Sequence, residues 1–541
     1  MQISTHTWKW LLIGTGLALL AMMIAYPFGY DQMVFMLGGE MTVKHGAIPY
    51  RDFLDTKPPV IFFIYGIAST VFGHHEWSIR AFDALFQIAV LFYFFRTLRR
   101  LLKNENAALL TVFLYALIYA ASGFWMTAQA EGFALLPSII LFDCTERSLQ
   151  NDAKTLRLGV YAGLASAMLF LLKFTFIVVP FGAVLYLLVQ TTLRRRLLWI
   201  YILGLATAFT AILGSYALYL AATQTFTRFL ESLAWLKGYA AIDPLFSVHT
   251  IAERFYISFP VLLVSSLSLS GVVLASFGII KYFQNHSADG PSGDVTKSTL
   301  YLHFFIQFML GLLAVLYERK FFHYQFTRIY WAFIPFVALG LQSLRVMFKG
   351  YVSKWKTMDR GSRILRYSGV AALCCVLLFF STAVRIFSHP LHWTYLRMTN
   401  GDVGADVESK FEQYFYKEEQ QLADHLRPLL SPRENIFVWG NSMGIYYFLD
   451  KYPTTIVLTS TPLITAWTPQ SWKDTTIAQL KSNPPRFFIV EFGDEREYIS
   501  GTKSDSWQNL QRWDALRSFV ESQYGLKETI GHFRIFERRI P

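Results

Sequence analysis

About eleven stretches of this chain are apolar for roughly the 17 to 25 residues that a helix needs to cross a bilayer, and a water-soluble fold has no way to bury so many. They fall near 9–29, 79–98, 106–125, 131–146, 157–172, 174–192, 197–221, 258–282, 299–317, 328–347 and 366–388. The rest of the composition agrees: 54% of the 541 residues are hydrophobic and 16% charged, with a mean hydropathy of +0.35. A formal charge of +12 would suggest nucleic acid in a soluble chain, but here the cations sit in short clusters between apolar runs. Retention of positive loops on one side of a membrane explains that pattern better. The expected architecture is an all-α polytopic membrane bundle with a soluble α/β domain at its C-terminus.

Three cation clusters set the orientation: Arg96, Arg99, Arg100 and Lys103; Arg194 to Arg196; and Lys349, Lys354, Lys356, Arg360, Arg363 and Arg366. All three share one side if the N-terminus is cytoplasmic. The first apolar run is longer than a signal-peptide core and lacks a small-residue cleavage site, so it reads as a retained first span. The apolar segment 59–72 is short for a span, at about 14 residues, and crossing there would move the Arg96 cluster outside. It is therefore expected to lie along the outer interface, within one long first external loop at 30–78.

Beyond about residue 388 charges become frequent and apolar runs shorten. The chain is thus expected to divide into a transmembrane part at 1–388 and an extracytoplasmic α/β part at 389–541. In the latter, 436–439, 455–458 and 487–490 read as strands, and 412–429, 472–480 and 507–524 as helices. Gly440 and Gly444 are too isolated to form a phosphate-binding glycine loop. Cys144, Cys374 and Cys375 offer neither a disulfide framework nor a zinc spacing. The adjacent His74, His75 and Glu76 lack the helical spacing of the usual zinc motifs. No cofactor is required by this reading, and a divalent metal is compatible with it but not indicated.

Polar residues collect at the expected outer ends of the spans. Asp31 follows span one, and the first loop then runs through 46–52 (GAIPYRD) and 55–59 (DTKPP). Glu131 opens the fourth span from the same side. Each acid alone can be a solvated residue at a helix end, favoured by the helix dipole; as a pair on one face they can also meet at one site. Lys57, Lys173 and Arg254 lie on that side too, where a lysine can snorkel or contact lipid headgroups. The segment 318–324 (ERKFFHY) adds another outer polar cluster. Acids and cations together at this interface would suit an amphiphilic phosphate ester.

In these features the sequence resembles the GT-C membrane glycosyltransferases, in particular the bacterial branch that is like protein O-mannosyltransferases and aminoarabinose transferases and uses polyprenyl-phosphate sugars. The carriers are Asp31, Gly46 to Asp52, Lys57-Pro58-Pro59, Phe72-Gly73 ahead of Arg80, Glu131, Lys173 and His323-Tyr324, with the strand 436–440 and Pro484-Pro485 in the tail. Many members carry Asp-Glu where this chain has Asp31-Gln32, and Asp where it has Glu131. The resemblance implies transfer of a hexose or pentose from a polyprenyl phosphate to a cell-envelope acceptor: lipid A, another glycan, a glycolipid or protein. It implies Asp31 as general base, Glu131 orienting sugar hydroxyls, Lys57, Lys173 and Arg254 on the donor phosphate, and Tyr50, Arg51, His323 and Tyr324 lining the sugar or acceptor pocket. The phosphate is already a good leaving group, so the site must stabilise charge and activate the acceptor hydroxyl. It further implies a multi-pass protein of the bacterial inner membrane. The alternative is a transporter or lipid flippase, which would concentrate its polar residues near the bilayer midplane instead of at span ends.

Overall fold

The computed structural model describes residues 5–150, 152–190, 195–242, 269–288, 295–320, 322–355, 382–411 and 413–539. The chain separates into two compact units, each assembled from three stretches.

The first unit comprises Met1–Tyr26, Arg80–Ile212 and Val248–Tyr395. Its main helices are α1 (Thr5–Met22), the greater part of α4 (Glu76–Leu102), α5 (Glu105–Ala121), α6 (Ala130–Phe133), α7 (Leu135–Ser148), α8 (Thr155–Leu172), α9 (Val178–Gln190), most of α10 (Arg195–Ala222), α12 (Leu269–Ala288), α13 (Val295–Glu318) and α14 (Tyr330–Trp355). Among the described residues six helices are long and apolar enough to cross a membrane: Thr7–Ala25, Glu76–Leu102, Thr155–Leu172, Arg196–Ala222, Thr299–Glu318 and His323–Met347. Shorter apolar helices occur at Val60–Phe72, Glu105–Ala121, Phe174–Gln190 and Gly271–Lys281. Much of the expected runs 258–282 and 366–388 lies outside the described residues.

Lipid tails are as apolar as leucine, so helices in a membrane gain by close backbone approach and not by hiding apolar side chains. Gly159 and Gly163 on α8 provide that approach to α10: a β-carbon on either would run into the carbonyl oxygens of Tyr201 and Leu205. From the other side, Gly204 meets the Leu156 carbonyl. The run expected at 131–146 is interrupted at Ala134. Pro137 has no N–H for the Phe133 carbonyl and its ring crowds that group, so the helix resets one turn earlier.

The second unit comprises Pro27–Ile79, Leu213–Ser247 and Leu396–Pro541. The segment expected as a loop around one interfacial helix holds two helices, α2 (Tyr30–His45) and α3 (Val60–Phe72). They pack through glycines, since a β-carbon on Gly39 would lie 2.6 Å from the Gly66 nitrogen. Four strands, β1 (Ile436–Trp439), β2 (Phe487–Glu491), β3 (Tyr524–Ile530) and β4 (Phe533–Arg538), form one sheet in the order β1-β2-β4-β3. The β1–β2 pair is parallel, with Ile436 opposite Phe487, and the other two pairs are antiparallel.

Strands β1 and β2 stand where the apolar runs indicate. Residues 455–458 form no regular strand: Val457 makes a single bridge to Leu54, whose N–H donates to the Ile456 carbonyl at 2.6 Å. The helix expected at 507–524 is two, Ser506–Arg512 and Asp514–Gln523. The core of the sheet combines Phe437, Trp439, Phe488, Val490, Trp472 and Phe519 with Leu54 and with Trp235 of α11 (Phe226–Ala241).

Candidate functional site

The sequence-predicted residues fall into two groups, one in each unit.

In the second unit Asp31 occupies the first turn of α2 and is half-buried. A carboxylate there faces the positive end of the helix dipole. The turn is closed by Gln32, wholly buried, whose side-chain oxygen accepts the Gly29 N–H at 2.9 Å. An amide oxygen makes the bond that a glutamate would make, without bringing a second charge beside Asp31. Tyr30 is held by Arg496, whose guanidinium lies 4.6 Å from the ring centre, and its hydroxyl donates to Asn441 Oδ1 at 3.4 Å. Asn441 is fixed in turn, its backbone N–H on the Glu491 carboxylate at 2.5 Å and its amide on Asp494 at 3.0 Å.

The Asp55 to Lys57 segment belongs to the same unit. Lys57 Nζ lies 4.5 Å from the ring centre of Phe35 on α2. Its backbone N–H donates to Asp55 Oδ1 at 2.7 Å, and its carbonyl accepts the Tyr50 hydroxyl at 3.0 Å. Burial pushes the Asp55 carboxyl above the usual range; Lys57 pulls against the shift and the charge of Asp31 adds to it. Asp55 is therefore a second acid in the group of Asp31 and Lys57, quoted in the sequence only as part of a motif. Tyr50 is buried and takes a left-handed backbone at φ 68°. Arg51 is exposed and pairs with its neighbour Asp52 at 2.8 Å.

In the first unit a clamp on the loop before Glu131 positions that acid. Arg80 is buried and donates to the Phe124 carbonyl at 3.0 Å and to Thr127 Oγ1 at 3.0 Å. Buried Asp83 accepts the Ala128 N–H at 3.0 Å, holding that residue at φ 57°, a conformation that costs an alanine about 1 kcal/mol. The loop delivers Glu131 to the start of α6 with 1% of its side chain exposed.

Glu131 Oε1 accepts Lys173 Nζ at 2.8 Å and Arg328 Nη2 at 3.0 Å. Lys173 also reaches Glu318 Oε2 at 2.9 Å, and Arg328 Nη1 reaches Glu318 Oε1 at 2.7 Å. Two acids and two cations thus close a ring. Thr175 donates to Glu318, and Tyr324 lies beneath Lys173 at 5.7 Å from its ring centre. His323, half-buried, begins the same short turn (His323–Ile329) that carries Tyr324 and Arg328. Next to Glu131 and Arg328 the cavity measures only ≈ 10 Å³, about the room of one water molecule.

The structure thus brings Lys173, Glu131 and Tyr324 together in one unit and Lys57 beside Tyr50 in the other. Arg254 lies outside the described residues. Arg328 was missed by sequence reading; the signal for it is an arginine opening an apolar run, which lipid alone would not tolerate. Among the described residues no three histidine, cysteine or acidic side chains stand where they could share a metal ion. His74 is taken by Glu40 at 2.9 Å, and His75 stacks on Trp77.

Six helices long and apolar enough to span a bilayer among the described residues, with a four-stranded sheet near the C-terminus, mark a polytopic membrane protein. The comparisons with known proteins agree. Residues 56–216 match the family model described as dolichyl-phosphate-mannose-protein mannosyltransferase. The structure of ArnT from Cupriavidus metallidurans bound to undecaprenyl phosphate covers 98% of this chain and 98% of its own, at 13% identity and a TM-score of 0.55. The same protein in the apo state gives 14% identity, 98% of each chain and a TM-score of 0.56. No curated protein matches the sequence. The chain thus has a fold like that of ArnT, the GT-C membrane fold.

Proposed function

We propose that this protein transfers a hexose or pentose from a polyprenyl phosphate to a cell-envelope acceptor at the outer face of the bacterial inner membrane. The observation that carries the reading is the GT-C fold over 98% of the chain, shared with a protein whose structure holds undecaprenyl phosphate. In this reading residues 1–388 form the transferase part and 389–541 an extracytoplasmic part. The acceptor class comprises lipid A, another glycan, a glycolipid or a protein.

Asp31 acts as general base. It stands in the first turn of α2, and the acceptor hydroxyl needs a proton acceptor as the sugar's anomeric carbon gains positive charge. Lys57 holds the donor phosphate, with Lys173 and Arg254 as further cations for it. Breaking the sugar–phosphate bond returns charge to the phosphate, and fixed cations lower the barrier to that step. Glu131 orients sugar hydroxyls from its ring of ion pairs with His323 and Tyr324 at the sugar or acceptor in that unit, and Tyr50 and Arg51 serve the sugar or acceptor from the other.

The test is transfer by the purified protein from a polyprenyl-phosphate sugar. Asp31→Asn is expected to lower turnover by about 10²- to 10⁴-fold with the donor still bound. Undiminished transfer would remove Asp31 as the base, and lipid translocation without transfer would support the flippase instead.

A further inference from the structure

The helices that carry the Glu131 site have a second polar end. Along α4, Arg80 meets the loop before Glu131, Gln87 donates to the Gly132 carbonyl at 3.2 Å, and Tyr93 and Arg100 meet Asp143 near the far end of α7. From Arg80 to Arg100 a helix rises about 30 Å, one bilayer core. The two polar ends are therefore separated by the thickness of a membrane.

At the far end Tyr93, Arg96, Thr97, Arg99, Arg100 and Arg147 line a cavity of ≈ 420 Å³. Four guanidinium groups share it, and the acid paired with them is Asp143, whose side chain is 3% exposed. Asp143 bonds Arg100 through one oxygen and Arg147 Nε at 2.9 Å through the other, while Tyr93 donates to it at 2.8 Å. One buried carboxylate thus fixes two forks side by side and leaves three positive charges in excess around the cavity. Glu105 at the start of α5 is paired with Lys9 at 2.7 Å.

Retention of positive charge on one side of a membrane would explain four cations here, but not a buried acid spent on aiming two of them at a cavity. Planar guanidinium forks match the tetrahedral oxygens of phosphate, which they bind bidentately. The same face of α4 also points to how the phosphate is presented. Leu85 and Phe92, spaced by seven residues, are 57% and 61% exposed and lead up to Arg96, whose guanidinium lies 5.5 Å from the Phe92 ring centre. An acyl chain lying along this stripe would deliver its headgroup into the arginines.

We propose that Arg96, Arg99, Arg100 and Arg147 form a binding site for a phosphate ester, carried by an anionic phospholipid of the leaflet opposite the Glu131 end. The site is separate from the transfer chemistry and does not depend on the reading given above.

Native mass spectrometry of the full-length protein with phosphatidylglycerol and phosphatidylcholine tests it. Wild type is expected to retain the anionic lipid about tenfold better than the zwitterionic one. Arg96→Gln with Arg99→Gln, both at exposed positions, should bring the two lipids near parity. Arg96→Lys with Arg99→Lys keeps the charge that orients the chain, yet should lose most of the preference. Asp143→Asn, which keeps all four cations but frees the forks, should lower it as well. Equal preference in wild type and the glutamine variant, with melting temperature unchanged, would overturn the proposal. Displacement of bound lipid by millimolar inorganic phosphate would identify phosphate itself as the recognised group; lipid that stays bound would identify the whole headgroup.

Discussion

A carboxylate with 1% of its side chain exposed and two cations within 3.0 Å is held more firmly than a general base should be. Removing Glu131 alone would leave Lys173 and Arg328 to share one acid in a nearly dry setting, and breaking such a network typically costs about 3 kcal/mol. Removing Lys173 as well leaves the Glu318–Arg328 pair intact and neutral. Glu131→Gln is thus expected to lower the melting temperature strongly in detergent, and Glu131→Gln with Lys173→Met to cost less than the two single losses together. Additive losses would show that the ring does not act as a unit. Glu131 and Lys173 were legible in the sequence because a charge at the edge of an apolar run is conspicuous. Their ring was not: Glu318 and Arg328 lie 145 and 155 residues beyond Lys173, and only the fold closes that distance.

Helices α2 and α3 are joined by a second charged knot, this time outside the membrane spans. Burial alone would raise the Glu40 carboxyl, but hydrogen bonds from His74, Lys44 and Ser69 hold it down to about 2. The His74 ring shows the converse: burial lowers it, while Glu40 and the Tyr447 carbonyl outweigh burial and raise it above 6.5. The histidine's contribution to stability is fully present below about pH 6.5 and is lost as pH rises through the raised folded value. The glutamate's is present above about pH 4.5 and is lost as pH falls toward 2. The melting-temperature difference between wild type and His74→Asn should therefore be largest near pH 6 and shrink by about pH 9. A difference that grows with pH would show that the ring is neutral in the folded protein. At this scale legibility followed apolarity: β1 and β2, buried at every position, stood out in the sequence. Strands β3 and β4 mix exposed charges such as Lys527 and Arg538 with few apolar residues, and so escaped a reading based on runs. The amphipathic α11 escaped for the same reason, although Trp235 and its hydrogen bond to Thr465 at 3.0 Å tie it to the sheet core.

For the whole molecule, the apolar pattern was enough to state the class of fold, because lipid restricts spanning segments so severely. How the chain is shared between its two units was not legible, since each unit takes three separate stretches and hydropathy has no memory across a helix end. Sidedness follows from charge instead. Arg96, Arg99, Arg100 and Lys103 close α4, and a cluster so placed resists translocation, so that end should face the cytoplasm. The odd number of crossings expected from the sequence would then carry the segment after residue 388 to the outer side. Lys103 and Lys481 are both exposed and suit single-cysteine probes; Cys144 is buried, and Cys374 and Cys375 are replaced by alanine for the purpose. A membrane-impermeant maleimide is expected to label Lys481→Cys in spheroplasts within minutes, and Lys103→Cys only after the membrane is opened. Labelling of both in closed spheroplasts would mean that an apolar run has been miscounted as a span. Labelling of Lys103→Cys alone would reverse the orientation.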